Sequence, residues 1–156
     1  MSRSIAALLV DASERMLGDA LGRLEQAGFR GLSASQAFAI QLIESGVATI
    51  TALSEAMRMT PQAVSAIVNH LVERGFVLRA RQEKDARARL LTLTEDGRRL
   101  AVAILSALSE AEQEWADLVG DQRLADVRAA LETYVADGSP SSSAQGRRRQ
   151  RRVRFV

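Results

Sequence analysis

TPQAVSAIVNHLVERG, residues 60–75, carries more structural information than any other part of the chain. Thr60 is an N-cap type, and Pro61 stands at the first helical position, where its missing N–H costs nothing. Met59 and Val64 occupy the two positions of a hydrophobic staple. Val64, Ile67, Val68 and Leu71 then recur at helical spacing, which predicts a buried stripe that ends at Gly75, a left-handed stop. The opposite face holds Gln62, Ala63, Ser65, Ala66, Asn69 and Glu73. A solvated helix face normally carries long charged side chains, so this mostly short, uncharged one is suited to close contact with a partner.

Reading outward toward the N-terminus, a short helix is expected from Thr51, burying Leu53, Ala56 and Met57. Before it, Ser33 caps a helix through Ser45 that buries Phe38, Leu42 and Ile43 and ends at Gly46. From Ser4 to Ala27, Ile5, Leu8, Leu9, Met16, Leu17, Leu21 and Leu24 form an amphipathic stripe, broken by Gly28 and Gly31. On the other side of Gly75 the period falls to about two. Phe76–Arg81 and Arg89–Thr94 read as strands joined by the polar stretch Gln82–Ala88. Thr94 caps a long helix to about Val119, with Leu100, Ile104, Leu105, Leu108 and Trp115 inward. Gly120 and Asp121 restart the chain as a last helix ending near Asp137, with Leu124, Val127, Leu131 and Tyr134 in register. The Ser-rich run 138–146 and the Arg-rich end 147–156 are expected to be disordered.

The fold class is therefore mainly α: a winged helix-turn-helix with a small β-hairpin wing over about 31–100, plus N- and C-terminal dimerisation helices over about 4–27 and 95–137. One domain spans 1–137 and a Ser/Arg-rich tail spans 138–156. The two outer helices are assigned to dimerisation because a monomer would leave their apolar stripes wet.

Composition removes several classes of function. The 156 residues contain no Cys and one His. Thiolate metal sites, disulfides, Cys nucleophiles and histidine-rich metal clusters are excluded. No convergent nucleophile, base or metal set is recognisable, so the chain reads as a non-enzyme with no cofactor and no metal. No apolar run approaches a membrane span of roughly 18 residues, and the expectation is a cytoplasmic protein without a membrane partner. His70 is more simply a satisfied interface histidine than a pH sensor. Trp115 and Tyr134 are more simply helix-packing residues than the lining of an aromatic-ligand pocket.

Charge is unevenly spread. The formal balance is +2, with 21 bases and 19 acids, and the pI is about 9.9. The last ten residues hold six Arg and no acid, and Arg74–Leu100 holds eight bases against four acids. What remains is net −8, so the positive field is directed rather than general. A helix with small side chains fits the major groove of B-DNA, about 12 Å wide. Gln62 and Asn69 are types that read adenine, Ser65 serves a base or a phosphate, and the helix N-terminus favours a phosphate. Double-stranded DNA is the expected partner. An alternative is an RNA-binding or nonspecific nucleic-acid-binding protein acting through the Arg-rich tail.

Over roughly Gly31 to Leu100 the sequence resembles the MarR family of bacterial transcription regulators. The resemblance is carried by LSASQAFAIQLI, TITALSEAMRMTPQAVSAIVNHLVERGFVLR and RQEKDARARLLTLTEDGRRL, and above all by VSAIVNHLVERGFV with Asp85-x-Arg87 and LTLTEDG at family spacing. It implies a homodimer that places its second HTH helices in successive major grooves and a wing arginine in each flanking minor groove. By that resemblance Arg87 is the wing-tip arginine, Asp85 and Arg81 orient the wing, and Lys84 and Arg89 belong to the same DNA-binding hairpin. Thr60, Gln62, Ala63, Ser65, Ala66 and Asn69 fall on the recognition-helix surface. Ala66 departs from the basic or larger polar residue of many relatives, which shifts weight to shape readout by the wing. A repressor of a pseudo-palindromic operator is implied, with a small-molecule effector, often aromatic or anionic, held between the dimerisation and DNA-binding parts.

Overall fold

A computed structural model describes residues 3–82 and 85–137, and of residues 81, 82, 85–89 and 137 only the backbone is described. Among the described residues, six helices and one hairpin follow in the order α1 (Ile5–Gln26), α2 (Ala34–Glu44), α3 (Ile50–Met57), α4 (Pro61–Glu73), β1 (Val77–Gln82), β2 (Asp85–Leu93), α5 (Glu95–Val119) and α6 (Asp121–Asp137). Helix starts follow local side-chain chemistry. Ser4, Ser33, Thr49, Thr60 and Thr94 each accept a hydrogen bond from a backbone N–H of the first turn that would otherwise be orphaned. At Ser33 the cap is reciprocal, because Gln36 returns a side-chain oxygen to the Ser33 N–H at 3.0 Å.

α3 begins earlier than its apolar spacing suggests. Thr49 rather than Thr51 is the cap, with its hydroxyl accepting from Ala52 N–H at 3.1 Å. Leu53 and Ser54 are the buried residues, while Ala56 faces solvent. Phe38, expected inside, is 49% exposed, and Leu105 is 58% exposed. In α2 the buried set is instead Gln36, Ala37, Ala39, Ile40 and Ile43, so that face is rotated from the expected one.

The core is formed by the sides of α1, α2 and α5 that face one another, closed by α3, α4 and the root of the hairpin. Leu24, Ile40, Leu53, Val64, Val68, Leu71, Val77 and Leu100 are its largest fully buried side chains. Gln41 spans α2 and α5, donating from Nε2 to the Ala101 carbonyl at 2.8 Å. Arg23 of α1 reaches α5 from a mostly covered position, bonding Glu114 and lying 3.3 Å from Glu110.

The hairpin is antiparallel, pairing Val77 with Leu93, Arg79 with Leu91 and Arg81 with Arg89. The strands run further than expected. β2 already starts at Asp85, opposite Gln82, and a register shift beyond Arg81 leaves 86–88 without residues across from them. The Leu91 N–H also bonds the Ala48 carbonyl at 2.8 Å, which stitches the sheet to the segment before α3. At its root, Thr94 donates its N–H to the Phe76 carbonyl at 3.0 Å and its hydroxyl to the Gly75 carbonyl at 2.7 Å.

Candidate nucleic-acid interface

α4 is held by its inner face and by both ends. Val64, Val68 and Leu71 are fully buried, and each such side chain contributes about 1.5–3 kcal/mol relative to exposure. The Thr60 hydroxyl accepts from Ala63 N–H at 3.3 Å, so this expected surface residue also works as the helix cap. The turn from α3 passes through Arg58, whose φ of 53° is left-handed. At the far end Gly75, with φ of 76°, allows a Schellman closure. Gly75 N–H bonds the Val72 carbonyl and Phe76 N–H bonds the Leu71 carbonyl, both at 2.9 Å.

With those constraints, Gln62, Ala66 and Asn69 are fully on the outside, and Ala63 and Ser65 lie at half-buried edges of the same surface. His70 is exposed as well. The structure thus gathers all six expected helix residues on or beside one accessible, uncharged face. Of the hairpin residues, the backbones of Arg81, Asp85, Arg87 and Arg89 belong to the strands, with Arg87 in the stretch beyond the register shift. Lys84 lies outside the described residues, as does the whole tail from 138 onward.

Two arginines tie this face to the rest of the molecule, and neither role was expected. Arg79 shares a strand face with buried Val77, so it points toward α4. Its Nη2 donates to Asn69 Oδ1 at 2.5 Å. Arg74, at the C-terminal end of α4, donates from Nη2 to the Arg30 carbonyl at 2.6 Å and from Nη1 to the Gly31 carbonyl at 3.3 Å. Its guanidinium also lies 5.1 Å from the centre of the Phe76 ring. A period-two reading that kept Arg79 in phase with Val77 would have flagged the first. The second is a contact across more than forty residues and leaves no local signature.

A second surface lies at the other end. α1, α5 and α6 enclose an apolar cleft of about 480 Å³ lined by Leu8, Leu9, Met16, Trp115, Leu118 and Val127, among others. In its wall Ile5 is 77% exposed and Leu118 71%, and further along α6 Tyr134 is 79% exposed. Tyr134 therefore does not pack within this chain, contrary to its expected helix-packing role, whereas Trp115 is half-buried in the cleft wall. No described helix is long and apolar enough to cross a membrane.

A helix-turn-helix whose second helix is exposed on its uncharged side, backed by a hairpin from the next segment, has the winged-helix fold. Residues 30–88 match the family model described as MarR family. Among solved structures, the reduced form of MarR from E. coli superposes with a TM-score of 0.76 at 18% identity, covering 86% of this chain and 98% of that one. The S. aureus MepR–DNA complex gives 0.70 at 20% identity, covering 87% and 99%. A MarR family protein of Mycobacterium tuberculosis in complex with salicylic acid gives 0.67 at 20%, covering 85% and 97%. No curated protein matches the sequence. Residues 30–88 thus resemble the MarR family, and the described residues share the fold of these solved structures.

Proposed function

We propose that the protein is a homodimeric repressor in the cytoplasm that binds a pseudo-palindromic operator and is released from it by a small molecule. The observation that carries this reading is the outward face of α4: Gln62, Ala66 and Asn69 are exposed and uncharged, in a segment whose other charges are predominantly basic. Two copies joined through α1, α5 and α6 would offer two such helices. Residues 1–137 act as the regulator domain, and the basic tail adds phosphate contacts that carry no sequence information. The solved MepR–DNA complex supports the DNA partner, and the salicylic acid complex supports an aromatic anion as effector class.

Binding-site selection from a random duplex library with the purified full chain tests the reading. It should return an inverted repeat with half-sites about 10–10.5 bp apart. A consensus without dyad symmetry, or none, would overturn it. Thr60, Gln62, Ala63, Ser65, Ala66 and Asn69 are the assigned groove-facing residues, with Arg81, Lys84, Asp85, Arg87 and Arg89 on the wing. Arg87→Ala should weaken operator binding by about 1–3 kcal/mol in a gel-shift titration, and an unchanged affinity would remove the wing from the mechanism.

The tail has its own test. Truncation to residues 1–137 should flatten the dependence of log K on log salt by about 0.9 for each phosphate that the tail neutralises. Equal slopes would show six idle arginines. Complete loss of binding would favour the tail-driven alternative.

A further inference from the structure

By residue type Asn69 is an adenine reader, a role that requires its carbonyl to accept from the base while its amide donates. The contact with Arg79 changes that. A guanidinium has only donors, so the atom of Asn69 that meets Arg79 Nη2 at 2.5 Å has to be Oδ1. The amide nitrogen then lies on the opposite side of the group and offers N–H donors outward. An adenine amino group approaching Oδ1 would have to share it with a charged donor already at short range, and would sit beside a like-signed dipole. Acceptors meet no such conflict. Of the four bases, guanine presents two acceptors in the major groove, O6 and N7, and no donor of its own.

We propose that Arg79 is the positioning residue that sets the base preference of this helix: by occupying the Asn69 carbonyl it makes Asn69 a donor-only reader of guanine. The inference rests on the reading of α4 as the groove-facing helix. It also gives the wing root a part in sequence selection, because Arg79 stands on β1 opposite Leu91, close along the strand to Phe76, whose carbonyl anchors the cap of α5. Arg79 is half-buried on the α4 side of the strand, so the pairing is backed by packing and not by charge alone.

Binding-site selection with four full-length proteins decides it. In the wild-type consensus, one column per half-site should be guanine, and that column should lose its preference in Asn69→Ala. Arg79→Met frees the carbonyl while keeping an apolar stem on the strand, and should move the same column to adenine. Arg79→Lys, which still donates, should keep guanine. A merely structural role for Arg79 would lower affinity at every column without changing the base at one. As a check that involves no variant, replacing that guanine with 7-deazaguanine, which lacks the N7 acceptor, should weaken wild-type binding by about three- to tenfold, the scale of one lost hydrogen bond. Adenine, thymine or cytosine at the Asn69-dependent column of the wild type, or guanine retained by Arg79→Met, would overturn the assignment while leaving the DNA-binding reading intact. The absence of any consensus would overturn both.

Discussion

Gly97→Ala should destabilise the protein by about 3 kcal/mol or more, enough to lower the melting temperature by roughly 10 °C in a chain of this size. The sign is the informative part. In an ordinary helix interior, Ala is favoured over Gly by about 1 kcal/mol. Here a Cβ at position 97 would stand 2.0 Å from the Phe76 carbonyl oxygen and 3.2 Å from Leu93 Cβ. The first of these atoms is backbone, and it already accepts the Thr94 N–H, so it has no free direction in which to retreat. Either α5 lifts from the hairpin root or the Thr94–Phe76 bond breaks. The same exchange at Gly22, mid-helix in α1 with nothing within 4 Å, should not destabilise. Thermal melts of the two variants measure the contrast, and an equally stable Gly97→Ala protein would mean that the close approach is not maintained in solution.

The second large effect concerns the apolar end. Ile5→Glu combined with Leu118→Glu places two charges on side chains that are 77% and 71% exposed within one chain. The monomer fold loses little by the change. A dimer closed over that surface would have to desolvate both carboxylates, so on the proposed dimeric reading sedimentation should show a dimer for the native protein and a monomer for the double variant. Operator affinity should then fall by about 10²–10⁴, the advantage of tethering two half-site readers together. A double variant that stays dimeric and binds normally would place the subunit contact elsewhere.

What the residues reveal without a structure is local in origin. The limits of α4 follow from Thr60, Pro61 and Gly75, because capping, ring geometry and the left-handed stop act within one turn of the chain. Burial is harder to assign. Leu105, Phe38, Val127 and Tyr134 fit the apolar periods of their helices yet are exposed in this chain, because periodicity records that a face avoids water without recording what covers it. The hairpin reads too short from sequence because Arg and Ala alternate along it. Strands are usually recognised by alternating apolar residues, and Arg81, Ala86, Arg87, Ala88 and Arg89 give no such signal. At the interface, residue type and spacing single out Asn69 but carry no trace of the polarity that Arg79 imposes on it. The guanidinium arrives from ten residues away on another element, and no spacing rule encodes such a meeting.

α5 connects the two ends of the molecule without a break. Its 25 residues make a rod of about 37 Å at 1.5 Å per residue, seated at one end against the hairpin root and lining the apolar cleft at the other. Such a rod is a lever. A rotation of about 10° about the cleft end sweeps the hairpin end through about 6 Å, on the scale of the 5.4 Å pitch of the helix itself. The close approach of Gly97 to the Phe76 carbonyl, which leaves no room for a methyl group, seats the hairpin end of that rod.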